Sequence, residues 1–195
     1  MSTDRLTAIT DAGLRLIARE GLRGLTHRGV DAEAGLPIGS TSYYFRTRDV
    51  LVSACVRRLV ELDLLEIDAA GIAAHPMSAD QLADLGGALM WRWITVDGHR
   101  HLARYELLLQ ARRRPEIAAE LHAAGDKLRR AMATVFAIQG SPQPTRTALW
   151  FVACVDGVVM DQLTGPSARQ RMSRTDLRAC ALSLVRAALM DVEEV

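Results

Sequence analysis

A chain of 195 residues, 49% hydrophobic and 24% charged, has the balance of a compact globular protein and excludes the disordered and fibrous classes. Its formal net charge is +1, so nucleic-acid binding has to come from a local patch rather than a global basic excess. Cys55, Cys154 and Cys180 are odd in number and far apart, a usage that fits a reducing cytoplasm and neither a disulfide framework nor a zinc site.

Ala, Leu and Arg are abundant while aromatic and β-branched residues are sparse, which favours an all-α fold. Leu6, Ile9, Leu16 and Ile17 share one helical face, and Gly21 followed by Leu22 reads as a C-cap, so a first helix covers about residues 4 to 20. Thr26 caps a second, short helix that buries Val30 and Ala34 and closes at Gly35. Pro37 suits the first turn of a third helix, about residues 37 to 44, and Thr47 caps a long fourth, about residues 48 to 68. Ser78 and Gln81 have capping-box spacing. Breaks at Asp97-Gly98, at Pro115, across Gly140 to Pro144 and at Gly165-Pro166 divide the remainder into about five helices. The longest uninterrupted apolar run, Ala148 to Val155, is too short to span a bilayer, so no membrane partner is expected.

Residues 26 to 45 have the layout of a helix-turn-helix. A short helix ends at a glycine, and a second follows with small residues at its tip and aromatic residues along its side, as insertion into a major groove requires. Over residues 21 to 48 the cations Arg23, Arg28, Arg46 and Arg48 exceed the anions Asp31 and Glu33 by a net +2, a modest patch that a dimer would double. A short helix pair also occurs in proteins that never touch DNA. The stretch from Ala34 to Leu51, A-G-L-P-I-G-S-T-S-Y-Y-F-R-T-R-D-V-L, carries more than that layout. It resembles the TetR family of bacterial transcriptional regulators in its tip glycine, its Tyr-Phe end and its following cation.

That resemblance implies an amino-terminal three-helix DNA-binding domain, residues 1–48, and a helical-bundle ligand-binding and dimerisation domain, residues 49–195. It further implies a homodimer on a palindromic operator in double-stranded DNA, most often a repressor, released by a small-molecule effector in the bacterial cytoplasm. No cofactor, metal or enzymatic activity is expected. Carried over by position, Arg28, Ile38, Gly39 and Tyr43 face base edges or the groove wall, while Thr26, Ser40, Ser42, Tyr44 and Arg48 hold phosphates, with His27 beside them. Three residues depart from the family pattern: Ser42 stands where a Tyr is common, Arg48 where Lys is usual, and Asp31 where a small Ala packs between the two short helices. A carboxylate buried without a partner at Asp31 would be costly, an Arg or a helix N-terminus would relieve that cost, and the sequence leaves both outcomes open. Unpartnered, Asp31 favours the rival reading, a TetR-like helical dimer that has lost DNA binding and serves as a ligand-binding or interaction module.

In the carboxy-terminal helices, Trp91, Trp93, Tyr105, Leu109, Trp150, Cys154 and Met160, with Glu106 and Asp156 as polar orienters, are the candidate walls of a site for an apolar or aromatic molecule, although each also suits an ordinary core. His99 and His101, two apart, do not share a helix face and make a poor metal pair. Ala148, Ala153, Gly157, Ala181, Leu184, Val185 and Ala188, on two helices at about residues 145 to 163 and 174 to 190, suit a four-helix dimer interface, or an internal core.

Overall fold

The computed structural model describes residues 2–190. It contains no strand among them. The helices are α1 (Ser2–Gly24), α2 (His27–Glu33), α3 (Ser40–Tyr44), α4 (Arg48–Ala69), α5 (Ala79–Thr95), α6 (Gly98–Ala111), α7 (Pro115–Ile138), α8 (Pro144–Thr164) and α9 (Arg174–Leu189), with a 3-10 turn at Pro166–Arg169. Local chemistry sets most of these ends. The Thr26 hydroxyl accepts from the Gly29 amide at 3.1 Å, Thr47 accepts from Val50 at 3.3 Å, and Ser78 with Gln81 and Ser173 with Asp176 form full capping boxes. Gly21, at φ 68°, ends the first regular run of α1.

The third helix departs from the sequence reading. It begins at Ser40 rather than Pro37, because Gly39 sits at φ 94°, a left-handed conformation that cannot continue a right-handed helix. Pro37 and Ile38 therefore belong to the turn.

The chain packs as two compact units. One holds the residues up to Leu62 together with His99–Gly125; the other holds Asp63–Gly98 and the residues from Asp126 onward. In the first, Ile9, Leu14, Ile17, Leu25, Val30, Leu51, Cys55, Val56 and Leu107 are all but sealed from solvent, each worth roughly 1.5–3 kcal/mol of burial. α1 and α4 touch closely, since a methyl group at Gly13 would come within 2.7 Å of Cys55 Sγ. Burial, and then the Asp11 charge, push the Cys55 thiol up to about 12, so it stays protonated at neutral pH. In the second unit, α5 and α9 pack tightly around Ala83, Met90, Ile94, Leu177 and Ala181. A Cβ at Gly87 would meet the Arg178 backbone at 2.8 Å, and Arg178 binds Asp84 at 2.5 Å and Asp80 at 2.9 Å.

Candidate nucleic-acid interface

Asp31, on α2, is 1% exposed. Its Oδ2 accepts from the Gly39 amide at 2.8 Å, and its Oδ1 accepts from the Thr41 amide at 2.7 Å and the Thr41 hydroxyl at 2.6 Å. The carboxylate is thus a cap for α3 supplied from another helix, so of the outcomes that the sequence left open for Asp31 the structure shows a buried group paired at a helix N-terminus. Burial alone raises its pKa, but the bonds from Thr41 and Gly39 and the charge of His27 outweigh that and hold it below the ordinary carboxylate value.

Around this clamp the polar groups are largely turned inward. His27 Nε2 donates to the Phe45 carbonyl at 2.6 Å. Arg48 Nε donates to the Leu25 carbonyl at 2.9 Å, and the same guanidinium bonds the Leu22 carbonyl, so the cation expected on a phosphate is spent bracing the end of α1. The Ser40 hydroxyl donates to Pro37 O at 2.6 Å and that of Ser42 to Gly39 O at 2.9 Å. Glu33 takes Arg15 at 2.9 Å and Arg19 at 3.1 Å, and those bonds lower its pKa, Arg15 first. Both anions of the patch are therefore occupied within the protein, while Arg23, Arg28 and Arg46 are exposed.

Two large side chains point the other way. Ile38 is 80% exposed and Tyr43 79%. The Tyr43 ring stands edge-on against Tyr44 at 5.0 Å between centroids, and Tyr44 is itself half-buried against the core. Thr26 and Ser42 are exposed and Ser40 is partly so. The result is a rigid turn, satisfied from inside, that offers an aliphatic and an aromatic side chain outward, with a glycine whose Cβ position is open space.

The residues picked from sequence as ligand walls fall in both units. Tyr105 is buried in the first unit, Leu109 on the same helix is 68% exposed, and Glu106 accepts from the Leu22 amide at 3.4 Å and from Gln110 at 3.1 Å. Glu106 thus steadies the chain after Gly21. In the second unit, Trp91 and Trp93 pack on the α5 core, and Trp93 Nε1 donates to Glu66 at 2.9 Å. Asp156 is partly buried, and Met160 is 44% exposed. Trp150 and Cys154 line a groove of about 180 Å³ with Phe151, Leu184, Ala188 and Met190, where Arg146 lies 4.3 Å over the Trp150 ring.

The small residues of α8 and α9 divide in two. Ala148, Ala181 and Val185 are buried inside the second unit, so they serve the chain's own core. Ala153 and Gly157 are exposed, and Leu184 and Ala188 half-buried. Ala153 and Gly157 form, with Leu149, Trp150, Cys154 and Met160, an apolar stripe at helical spacing along α8, while Leu184 and Ala188 lie on α9; a Cβ at Gly157 would meet nothing within 4 Å.

The pattern of the tetracyclin repressor-like C-terminal domain matches residues 77–191, more than half of the chain. The chain belongs to the TetR family. Solved structures agree across nearly its full length. A TetR-family member from Streptomyces coelicolor is 29% identical, covering 92% of this chain and 97% of its own at a TM-score of 0.66. The multidrug binding protein EbrR, complexed with ethidium, is 28% identical, covering 94% and 99% at a TM-score of 0.62. A TetR-family regulator from Rhodococcus sp. shares the fold at 22% identity, covering 97% and 100% at a TM-score of 0.76. No curated protein matches the chain in sequence. The all-α TetR fold, a helix-turn-helix with a helical ligand-binding domain, is the one expected from residues 34 to 51.

Sequence reasoning allowed Asp31 a helix N-terminus within this TetR fold but did not identify Thr41 as its partner. No local signal reveals that pairing, because capping rules look within a few residues of a helix start, whereas this cap comes from ten residues upstream.

Proposed function

We propose that the protein is a ligand-responsive transcriptional repressor of the bacterial cytoplasm, binding an inverted-repeat operator as a homodimer and released by a small apolar or aromatic molecule. Residues 1–48 form its DNA-binding domain and residues 49–195 its ligand-binding and dimerisation domain. The observation that carries the reading is the clamped turn: Asp31 fixes Gly39 and Thr41 from within and leaves Ile38 and Tyr43 outward, the arrangement a major-groove reader needs. Arg28, Ile38, Gly39 and Tyr43 approach bases, and Thr26, Ser40, Ser42 and Tyr44 the backbone; His27 and Arg48 brace the turn. The rival reading, without DNA, rested on an unpartnered Asp31, and that motive is gone.

A second copy is the cover we assign to the α8 stripe. By length and composition alone α8 could cross a membrane, and only 22% of its apolar window is buried in one chain. Open space at Gly157 lets another helix approach its backbone, as a four-helix interface requires. EbrR's capture of ethidium and proflavin supports an aromatic effector here, as do the tryptophans of the second unit. Mobility-shift titration of the purified chain against duplexes flanking its own gene, in parallel with a randomised pool, tests the proposal. A shifted, symmetric site whose affinity falls steeply with salt is expected, and the absence of any preferred duplex contradicts it.

A further inference from the structure

We infer that Ile38 is a specificity-determining residue that reads the C5-methyl group of thymine in each operator half-site. The inference rests on the DNA-binding reading above and gives it a chemical target.

Residues 36 to 45, Leu-Pro-Ile-Gly-Ser-Thr-Ser-Tyr-Tyr-Phe, contain no Arg, Lys, Asn or Gln, the side chains that recognise guanine or adenine through paired hydrogen bonds. The serine and threonine hydroxyls do not replace them as donors. Ser40 and Ser42 give their protons to Pro37 O and Gly39 O, and Thr41 is buried on Asp31. What this turn offers a major groove is therefore Ile38 and the Tyr43 ring, a chiefly apolar surface, and the apolar feature displayed there is the thymine methyl.

Ile38 is placed for that contact. Its 80% exposure leaves most of its apolar surface to be covered on binding. Its backbone is fixed from the next residue, because Asp31 grips the Gly39 amide at 2.8 Å, and a β-branched side chain has little rotamer freedom to lose. Gly39 adds no Cβ between the turn and the DNA. Recognition is then by shape and methyl burial, and a 5-methylcytosine, which carries the same methyl at the same ring position, partly replaces thymine.

The test uses the full chain and a duplex that it selects from a randomised pool. Each half-site thymine is replaced by deoxyuridine, symmetrically in both half-sites, which deletes only the methyl groups. Affinity is expected to fall about tenfold at one thymine position, the worth of two buried methyl-sized groups. Ile38→Ala, at an exposed position, is expected to fold as the wild type, to bind the thymine duplex about tenfold more weakly and to ignore deoxyuridine at that position; Ile38→Val retains most of the sensitivity. Equal tolerance of deoxyuridine at every position, or Ile38→Ala as sensitive as the wild type, overturns the inference while leaving DNA binding intact. Failure of the wild type to select any duplex overturns both together.

Discussion

The α2–α3 turn and the α8 stripe both expose large apolar side chains, yet they differ in what lies behind them. At the turn, every buried polar group that shapes the surface has found a partner within the same chain: Asp31 holds Gly39 and Thr41, and Arg48 holds Leu22 and Leu25. Along α8 the side chains Leu149, Trp150 and Met160 are nearly half exposed, with an open Gly157 among them. The first region is complete in a single copy. Under the proposed dimer the second is completed by another copy, since exposed apolar area of this kind commonly marks an association site.

The largest expected effect comes from breaking the second region. Trp150→Glu combined with Gly157→Glu places charges on the α8 stripe without touching the chain's own core. Sedimentation is expected to show a monomer with unchanged helicity, and operator affinity to fall at least about a hundredfold, the usual cost of losing a second linked contact. A dimer that persists in this variant removes α8 from the interface.

Next in size is the clamp. Asp31→Ala leaves two amides and a hydroxyl without their acceptor and removes a helix cap, so the urea midpoint is expected to fall by the equivalent of about 2 kcal/mol. A more stable Asp31→Ala protein would show the carboxylate to be a burden. The acid limb sharpens the same point. Because the folded carboxyl titrates below its ordinary value, its contribution is fully present above about pH 3.9 and is lost as pH falls through the lower folded value. Asp31→Asn is expected to flatten that limb and to leave the slope between pH 6 and 8 unchanged.

Smaller still is the contrast between two arginines. Arg28→Ala, at an exposed position, is expected to weaken operator binding about tenfold and to relax base preference at one half-site position, with no change in stability. Arg48→Ala loses two carbonyl contacts and is expected to cost about 1 kcal/mol of stability with the salt slope unchanged. A salt slope that falls in Arg48→Ala would make Arg48 a phosphate contact, and a base preference untouched by Arg28→Ala would make Arg28 a bystander.

The smallest effect is chemical. Cys154 is exposed on the α8 stripe and Cys55 is buried with a thiol pushed to about 12. A thiol reagent is expected to label Cys154 faster in the monomeric double variant than in the wild type, and Cys55 only on unfolding. Equal Cys154 rates in both proteins would leave that residue outside the covered face.

Helix boundaries were legible wherever a cap lies beside the helix that it serves, as with Thr26, Thr47 and the Ser78–Gln81 box. Pro37 misled because its fixed φ suits a helix start, whereas the left-handed Gly39 two residues later governs where α3 begins. The tip of the reading turn was legible from its residue types, but the internal bonding of Ser40, Ser42 and Arg48 depends on the folded backbone. Glu106 looked like a ligand group among apolar neighbours; its partner is the Leu22 amide, 84 residues away. Ala148 and Ala181 show the same limit differently. Small residues signal close helix packing, but only their burial in one chain tells an internal contact from one reserved for another copy.

If each chain carries a DNA-reading turn and joins its twin through α8 and α9, the complex has a fixed stoichiometry and symmetry. The wild-type chain is used to select duplexes from a randomised pool, and the complex is then weighed by sedimentation. Two chains on one inverted repeat, with half-site centres about one helical turn or slightly more apart, is the expected result. A single chain on an asymmetric site, or no selected sequence at all, would contradict it.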